Sequence, residues 1–307
     1  MTTATLPAFV THGTPIKTWF GVGGSADRFA TPTSVSDLRT CLAIDPTLRV
    51  LGDGANLLVD DDGVDALVVS LDSPQLAKIE VMDAASGLVR AGAGIHIFKL
   101  MNATIRAGLG GLEVLAGVPA TLGGAIVMNA GGAFGQIADV VERVHAVDRA
   151  GRDVVLERRD IAFSYRHSGL TNLIVTGAEL RLTPSDVAVL EARKKEINEY
   201  KLRVQPMSAN SAGCCFKNPT LRNTIEGVGE AGKRVSAGLL IDRAGLKGLR
   251  HGTARVSEMH GNFLVVDDKT TGKARDVIEL MDLVANRVMN HFGVALEREV
   301  VVWRRHG

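Results

Sequence analysis

The segment Ser211-Ala212-Gly213-Cys214-Cys215-Phe216-Lys217-Asn218-Pro219 places two thiols beside a lysine. A thiol is a usable proton donor, and a neighbouring cation shifts it toward the thiolate. In an extended segment successive side chains point to opposite faces, so at most one of Cys214 and Cys215 looks into a given site. Two inert, buried cysteines are the alternative. A second kind of chemistry lies in the glycines. Leu51-Gly52-Asp53-Gly54-Ala55-Asn56-Leu57-Leu58-Val59 directly follows a predicted strand. Its glycines can turn consecutive N–H groups toward a phosphate, and Asn56 can add a side-chain donor or accept left-handed backbone. A plain turn between strands fits the same residues. The stretch Gly108 to Gly132, GLGGLEVLAGVPATLGGAIVMNAGG, is apolar and glycine-dense, with Glu113 its only ionisable side chain. It is too flexible to be a good core helix throughout. Pro119-Ala120-Thr121 and Asn129-Ala130-Gly131 offer backbone and hydroxyl contacts to a polar ligand, although a buried loop between domains is also consistent with them.

Other chemistries find no footing. The eight histidines lack metal-ligand spacing and no Cys-x-x-Cys occurs, so no metal is expected. No G-x-S-x-G elbow is present. Gly21-Val22-Gly23-Gly24-Ser25-Ala26 formally fits a relaxed dinucleotide fingerprint, but no clear strand precedes it and Pro32 interrupts before the next helix. A Rossmann loop needs a strand feeding a helix N-terminus, which leaves an ordinary glycine-rich turn or another kind of cofactor contact. Thirty-five basic residues against thirty-four acidic ones leave a net charge of +1, so no global field draws nucleic acid or an anionic membrane surface. No run of apolar residues is long enough to span a membrane, and MTTATLPAFV does not read as a secretory signal. An odd number of cysteines (Cys41, Cys214 and Cys215) is no disulfide framework and fits a reducing, cytoplasmic compartment.

The elements that must position these residues are readable in outline. A short helix is predicted at Asp37 to Ile44, capped by Ser34 or Ser36, with Leu38, Cys41 and Leu42 inward. Strands are predicted at Leu48–Leu51, Ala66–Leu71, Ile79–Met82 and Leu88–Ala91. Ile95 to Ala107 reads as a helix with Phe98, Met101 and Ile105 inward and Gly108 in the C′ position. Val144–Asp148 and Val154–Glu157 form a hairpin, and Asn172 to Leu182 is another strand. A charged helix runs from Asp186 to Arg203 with a solvated face, and Gln205–Asn210 marks a domain boundary. Beyond it lie a helix near Val235–Arg243, a strand at Asn262–Asp267, a helix at Ala274–His291 and a last strand at Glu299–Trp303. Val277, Ile278, Met281, Val284 and Val288 keep helical spacing as core. The mixture is α+β and not a regular β-α alternation.

Taken together these segments resemble the UDP-N-acetylenolpyruvoylglucosamine reductase family, from about Thr18 to Trp303. The likeness is carried in order by TWFGVGGSAD, LGDGANLLV, GLEVLAGVPATLGGAIVMNAGG, FSYRHSGL, QPMSANSAGCCFKNP, AGLLIDRAGLKG, VSEMHGNFLVV and LEREV. What the resemblance implies is a two-lobed FAD-binding region of the vanillyl-alcohol-oxidase type (residues 1–71 and 72–206), not a Rossmann fold. A smaller α+β substrate-binding domain (207–298) and a terminal strand returning to the active site (299–307) would follow. It assigns FAD, held non-covalently, to Gly52, Asp53, Gly54, Ala55, Asn56 and Leu57, and to Gly117, Val118, Pro119, Ala120, Thr121, Gly123, Gly124, Asn129, Ala130 and Gly131. The implied reaction takes hydride from NADPH onto the flavin, then from flavin N5 to C3 of UDP-N-acetylglucosamine enolpyruvate, with a protein acid protonating C2 to give UDP-N-acetylmuramate.

Three residues then acquire roles that suit their chemistry. Arg166 would hold the carboxylate as its second negative charge develops, since a guanidinium stays charged and binds bidentately. Glu299 would stabilise the enol as a protonated carboxyl donor, which requires its surroundings to raise its pKa. Cys214 stands where many members carry serine and would be the proton donor, a thiol with an ordinary pKa of about 8.5 being far more acidic than a hydroxyl. For that, Lys217 must not sit too close to the Cys214 sulfur. Tyr165, Lys217 and Asn218 match positions near the substrate. Ala55, Ala120 and an extra glycine at Gly131-Gly132 depart from the usual pattern at individual FAD contacts. The short connection from Arg166 to Pro206 resembles the branch without an additional tyrosine-bearing substrate loop. A sugar or alcohol oxidase on the same scaffold, or a catalytically silent flavin-binding protein, would share the fold. Such oxidases often tether FAD through His or Cys, and neither occurs in Gly52–Asn56 or Gly108–Gly132. Denatured, clarified protein is therefore expected to release its flavin into the filtrate, and colour retained on the polypeptide would contradict this.

Overall fold

The computed structural model describes residues 6–305. Residues 1–5 of the stretch read for a secretory signal, and residues 306–307 of the terminal segment, lie outside that range. By its contacts the chain forms two compact units. The first comprises residues up to Thr14, Ala26–Asp53 and Asp65–Tyr200, and the second Pro15–Ser25, Gly54–Val64 and the residues from Lys201 on. Each has its own apolar core.

Two sheets build the first unit. One runs in the order Val10–Pro15, Ser25–Ala30, Val64–Ser70, Arg49–Leu51, with the last two parallel and Arg49 opposite Val68. The other is antiparallel throughout, in the order Asp153–Glu157, Val141–Val147, Ile174–Arg181, Leu88–Gly92, Ile79–Asp83. Helix Val35–Ile44 starts at Ser34, whose hydroxyl accepts from Asp37 N at 3.1 Å, and it buries Leu38, Cys41 and Leu42. Burial pushes the Cys41 thiol up to about 11, so it acts as a small apolar side chain. Helix Ile97–Arg106 buries Ile97, Leu100, Met101, Thr104 and Ile105. Phe98, expected inward, is instead 63% exposed. Its neighbour Ile97 faces the core, and one residue along a helix turns the side chain through about 100°. Helix Val187–Val204 buries Leu190 and Ile197 and sets Tyr200 edge-on against Phe134, with ion pairs such as Arg193–Glu196 (2.6 Å) at its surface.

The second unit gathers a three-stranded antiparallel sheet (Arg250–His251, Ala254–Val256, Leu264–Val266) and helices Ala237–Arg243 and Ala274–Phe292. The long helix buries Val277, Ile278, Leu280, Met281, Val284 and Val288, the stripe its spacing demands. A last strand, Val301–Trp303, pairs in parallel with Leu57–Val59. Phe20, Val22 and Leu58 complete this core from far upstream. The glycines of the Gly21–Gly24 turn are explained here. A Cβ on Gly23 would lie 2.4 Å from Val59 O, and one on Gly24 would lie 2.3 Å from Gly63 N. Close backbone packing is by itself enough to demand glycine at these two positions. Helices and mostly antiparallel sheets make the chain α+β.

One buried carboxylate ties three elements of the first unit together. Asp45, at the end of helix Val35–Ile44, accepts from Leu67 N at 2.9 Å and from Thr47 Oγ1 at 2.6 Å, and pairs with Arg28 at 2.9 Å. Burial alone would raise its pKa, but these donors and the Arg28 charge outweigh burial and hold it below the usual carboxylate range. Its contribution is thus present above the unfolded carboxylate pKa and is lost as pH falls through the lowered folded value. Asp45→Ala is expected to cost about 2–3 kcal/mol at pH 7. In urea titrations the gap to the parent should narrow as pH drops below about 4; a pH-independent gap would refute the electrostatic origin.

Candidate active site

Within the first unit, two glycine-bearing segments that are distant in sequence come together. Thr121 caps the short helix Leu122–Val127, its Oγ1 accepting from Gly124 N at 3.2 Å. Residues 93–97 run beside it. Leu122 N donates to Ile95 O and Gly123 N to Ala93 O, both at 2.8 Å, and Ile97 N donates to Ala120 O at 2.9 Å. Gly52 sits against this capped turn, where an added Cβ would lie 3.0 Å from Thr121 Oγ1. His96 forms a bridge with Thr121, and its Nδ1 lies 3.4 Å from Asp53 Oδ1. Sequence reasoning overlooked His96; its place at the start of a helix four strands after the Asp53 loop gives no local signal. Gly117 adopts φ +70° and closes the turn before Val118-Pro119, as only glycine does without strain.

Asn129 organises the next stretch. It is 1% exposed and left-handed at φ 43°, a conformation asparagine tolerates better than most residues. Its Nδ2 donates to Ser164 O at 2.8 Å and Gln136 Oε1 at 3.0 Å, and its Oδ1 accepts from Ala138 N at 3.3 Å. Ser164 begins a tight turn, closed by reciprocal backbone bonds with His167. Buried Ser168 holds the far side, donating to Val127 O at 2.8 Å. At the tip stands Arg166, also left-handed at φ 55°. Its Nη1 donates to Gly131 O at 2.9 Å and its guanidinium lies 5.2 Å from the centre of the Tyr165 ring. An arginine in this backbone conformation is strained, and such strain concentrates at functional sites. Arg166, Tyr165, Asn129 and Gly131 therefore form one connected cluster.

In the second unit, residues 214–217 run extended between two other segments. On one edge Cys214 bridges Phe263, and Cys215 N donates to Asn262 O at 2.8 Å. On the other, Phe216 bridges Arg298, Glu299 N donates to Cys215 O at 2.8 Å, and Lys217 N donates to Glu297 O at 2.8 Å. Val300 N also reaches Cys215 O at 3.5 Å, so two successive amides converge there and the ladder is locally irregular. Cys215 is fully buried, and burial pushes its thiol up to about 12; Cys214 is only half-buried. Lys217 Nζ pairs with Glu297 at 2.6 Å, which gives its charge a partner other than a thiol. Asn218 Oδ1 accepts from Ala237 N at 3.0 Å, at the start of helix Ala237–Arg243. Asn56 Nδ2 donates to Glu299 O at 3.1 Å, and Asn56 O accepts from Val301 N at 3.1 Å. Gly54 is left-handed, and its Cβ would strike Lys17 O at 2.3 Å. Among the described residues no group of three or more His, Cys, Asp or Glu is placed to hold a metal ion.

Residues 205–303 match the C-terminal domain of UDP-N-acetylenolpyruvoylglucosamine reductase, and residues 26–157 match an FAD binding domain. A reductase of that name from Desulfosudis oleivorans is 40% identical over 298 residues, covering 93% of this chain and 91% of the relative. Another from Moorella thermoacetica is 40% identical over 293 residues, covering 93% and 89%. The crystal structure of UDP-N-acetylenolpyruvylglucosamine reductase from Thermus caldophilus superposes with a TM-score of 0.76 at 38% identity, covering 93% of this chain and 95% of that one. The chain belongs to the UDP-N-acetylenolpyruvoylglucosamine reductase family. It is a flavoenzyme oxidoreductase, its cofactor is FAD, and its FAD-binding region is of the vanillyl-alcohol-oxidase type.

The residues present suit that cofactor in this member of the reductase family. Gly52 is exposed backbone facing the Thr121 hydroxyl and Gly124, with no side chain in between. Such a bare, amide-rich surface suits a diphosphate. The fit is tight on one side only. A side chain at Gly52 would have to displace Thr121 Oγ1, whereas a Cβ on Gly132 would meet nothing within 4 Å. Overpacking of this kind costs about 1–3 kcal/mol, roughly ten- to a hundredfold in affinity. Gly52→Val is therefore expected to weaken FAD retention by that factor in a fluorescence titration, while Gly132→Ala leaves it unchanged. Equal retention by both variants would remove Gly52 from the cofactor cradle.

Proposed function

We propose that this enzyme reduces UDP-N-acetylglucosamine enolpyruvate to UDP-N-acetylmuramate in peptidoglycan precursor synthesis, using NADPH and one proton. When bound, FAD supplies the hydride, accepted from NADPH and delivered from flavin N5 to C3 of the enolpyruvyl group. Everything else falls to the chain's own residues. Arg166 binds the substrate carboxylate and neutralises the charge that grows there as C3 receives hydride. Cys214 gives its proton to C2, completing the reduction. Glu299, as a carboxyl donor, steadies the intermediate before that transfer. Tyr165, Lys217 and Asn218 bind the UDP-sugar. Gly52–Leu57 and the Gly117–Gly131 segment hold FAD, and residues 207–298 supply the substrate domain.

The observation that carries this reading is the linkage through Cys215. The main-chain carbonyl of Cys215, one residue on from Cys214, accepts from Glu299 N, so the proposed donor and the proposed stabiliser lie on neighbouring extended segments. The likeness to named reductases along 93% of the chain supports the same chemistry. With Cys215 buried and its thiol pushed up to about 12, Cys214 is the thiol available for proton transfer. The fit of the cysteines to a reducing compartment supports a cytoplasmic enzyme.

An anaerobic stopped-flow experiment tests the proposal. NADPH should bleach the flavin, and UDP-N-acetylglucosamine enolpyruvate should restore its visible band while UDP-N-acetylmuramate forms. Cys214→Ala should slow the second phase by about two to four orders of magnitude, the usual range for a general acid, and leave the first intact. Cys215→Ala should retain both phases. Flavin that stays reduced on adding this substrate would overturn the substrate assignment. Full turnover by Cys214→Ala would remove the proton donor.

A further inference from the structure

The VSEMHGNFLVV segment contains a polar side chain with no part in the roles above. Asn262 is 2% exposed, in the apolar surroundings of the second unit's core. All four of its hydrogen-bonding groups are engaged. Its Oδ1 accepts from Phe216 N at 2.9 Å and its Nδ2 donates to Phe216 O at 2.8 Å. Its main-chain carbonyl accepts from Cys215 N at 2.8 Å, and its main-chain N–H donates to His260 Nδ1 at 3.2 Å. His260 is itself packed edge-on against Phe263, the residue that bridges Cys214.

The side-chain amide of Asn262 thus acts as one peptide unit of an adjacent strand, satisfying both polar groups of Phe216 at once. That extends by one residue a ladder which, on main-chain bonds alone, would end at Cys215. The opposite edge of the same segment carries Glu299 and Glu297 through Cys215 O and Lys217 N. A shift of residues 214–216 would move the thiol of Cys214 and the backbone of Glu299 together. We infer that Asn262 is a positioning residue for proton transfer, its amide clamping Phe216 so that Cys214 and Glu299 keep their mutual geometry. The inference rests on Cys214 being the proton donor.

No other amino acid of similar size can substitute. Aspartate would keep the acceptor for Phe216 N but would set an ionised oxygen against Phe216 O. Leucine would leave both groups of Phe216 buried and unpaired. Misplacement of a reacting group by about 1 Å can cost roughly a hundredfold.

The test uses the FAD-loaded full-length protein and its Asn262→Ala and Asn262→Asp variants, with Cys214→Ala in parallel. Flavin reduction by NADPH should stay within about twofold of the parent. Reoxidation by UDP-N-acetylglucosamine enolpyruvate should slow by about ten- to a hundredfold, with little change in KM. Independently of turnover, the rate of Cys214 alkylation by iodoacetamide as a function of pH should shift in both variants, because the thiol has moved relative to its neighbours. A parent-like reoxidation rate together with a parent-like alkylation profile would overturn the inference. So would an equal loss in both half-reactions accompanied by FAD release, which marks general destabilisation. Should the alanine variant fail to hold FAD, the near-isosteric aspartate variant decides. If Cys214→Ala itself reoxidises at the parent rate, the proton-donor reading fails and this inference falls with it. If Cys214→Ala is slow while both Asn262 variants are fast, only the inference fails.

Discussion

The second unit is organised around the hydrogen bonding of one extended segment, residues 214–217, which is paired along both edges and buried at Cys215 and Phe216. Buried amides that lack partners are costly, so this segment cannot shift without breaking bonds to residues 262–263 on one side and 297–299 on the other. Everything nearby inherits its position from that constraint. Cys215 packs into the core, Cys214 is left half-buried, and Glu299 is held by its own N–H to Cys215 O and by Asn56 Nδ2 at its carbonyl. Asn56 links this arrangement to a short strand from far upstream, because Leu57–Val59 pairs with Val301–Trp303.

The first unit uses a different device for the same purpose. There, Asn129 replaces a regular ladder, its side chain reaching Ser164 O, Gln136 Oε1 and Ala138 N. Two left-handed residues, Asn129 and Arg166, are tolerated because the surrounding bonds over-determine them. The guanidinium of Arg166 is aimed by Gly131 O and by the Tyr165 ring. In both units a buried asparagine amide fixes a loop that carries a chemically useful side chain. Asparagine suits the task because it offers two donors and an acceptor in a rigid, uncharged plane.

Elements with strong periodicity were legible from residue pattern alone. The stripe from Val277 to Val288, the Ser34 cap and the turn at Gly108 are local signals, decided by side chains within a few residues of one another. Phe98 was not legible: Ile97 and Phe98 are equally apolar, and only the neighbouring packing selects which faces inward. The Gly21–Gly24 turn was ambiguous for a similar reason. Nothing local distinguishes a glycine needed for a ligand from one needed because Val59 O or Gly63 N lies where its Cβ would be.

For the site, residue types were readable and their connections were not. Motif order pointed to Arg166, Cys214 and Glu299, and to glycine segments suited to a cofactor, since such types are chosen by chemistry and recorded in the chain. That Gly52 faces Thr121, that His96 lies beside Asp53, and that Asn262 clamps Phe216 are relations between residues tens of positions apart. No short-range rule encodes them, because hydrogen bonds depend on distances of about 3 Å that only the folded chain sets. The sequence by itself determined the family chemistry, the periodic helices and the acid–base repertoire. Tertiary structure decided which thiol is buried, which glycines meet backbone and which asparagines bear the polar load, because each of these is a matter of packing between segments that the chain does not bring together until it folds.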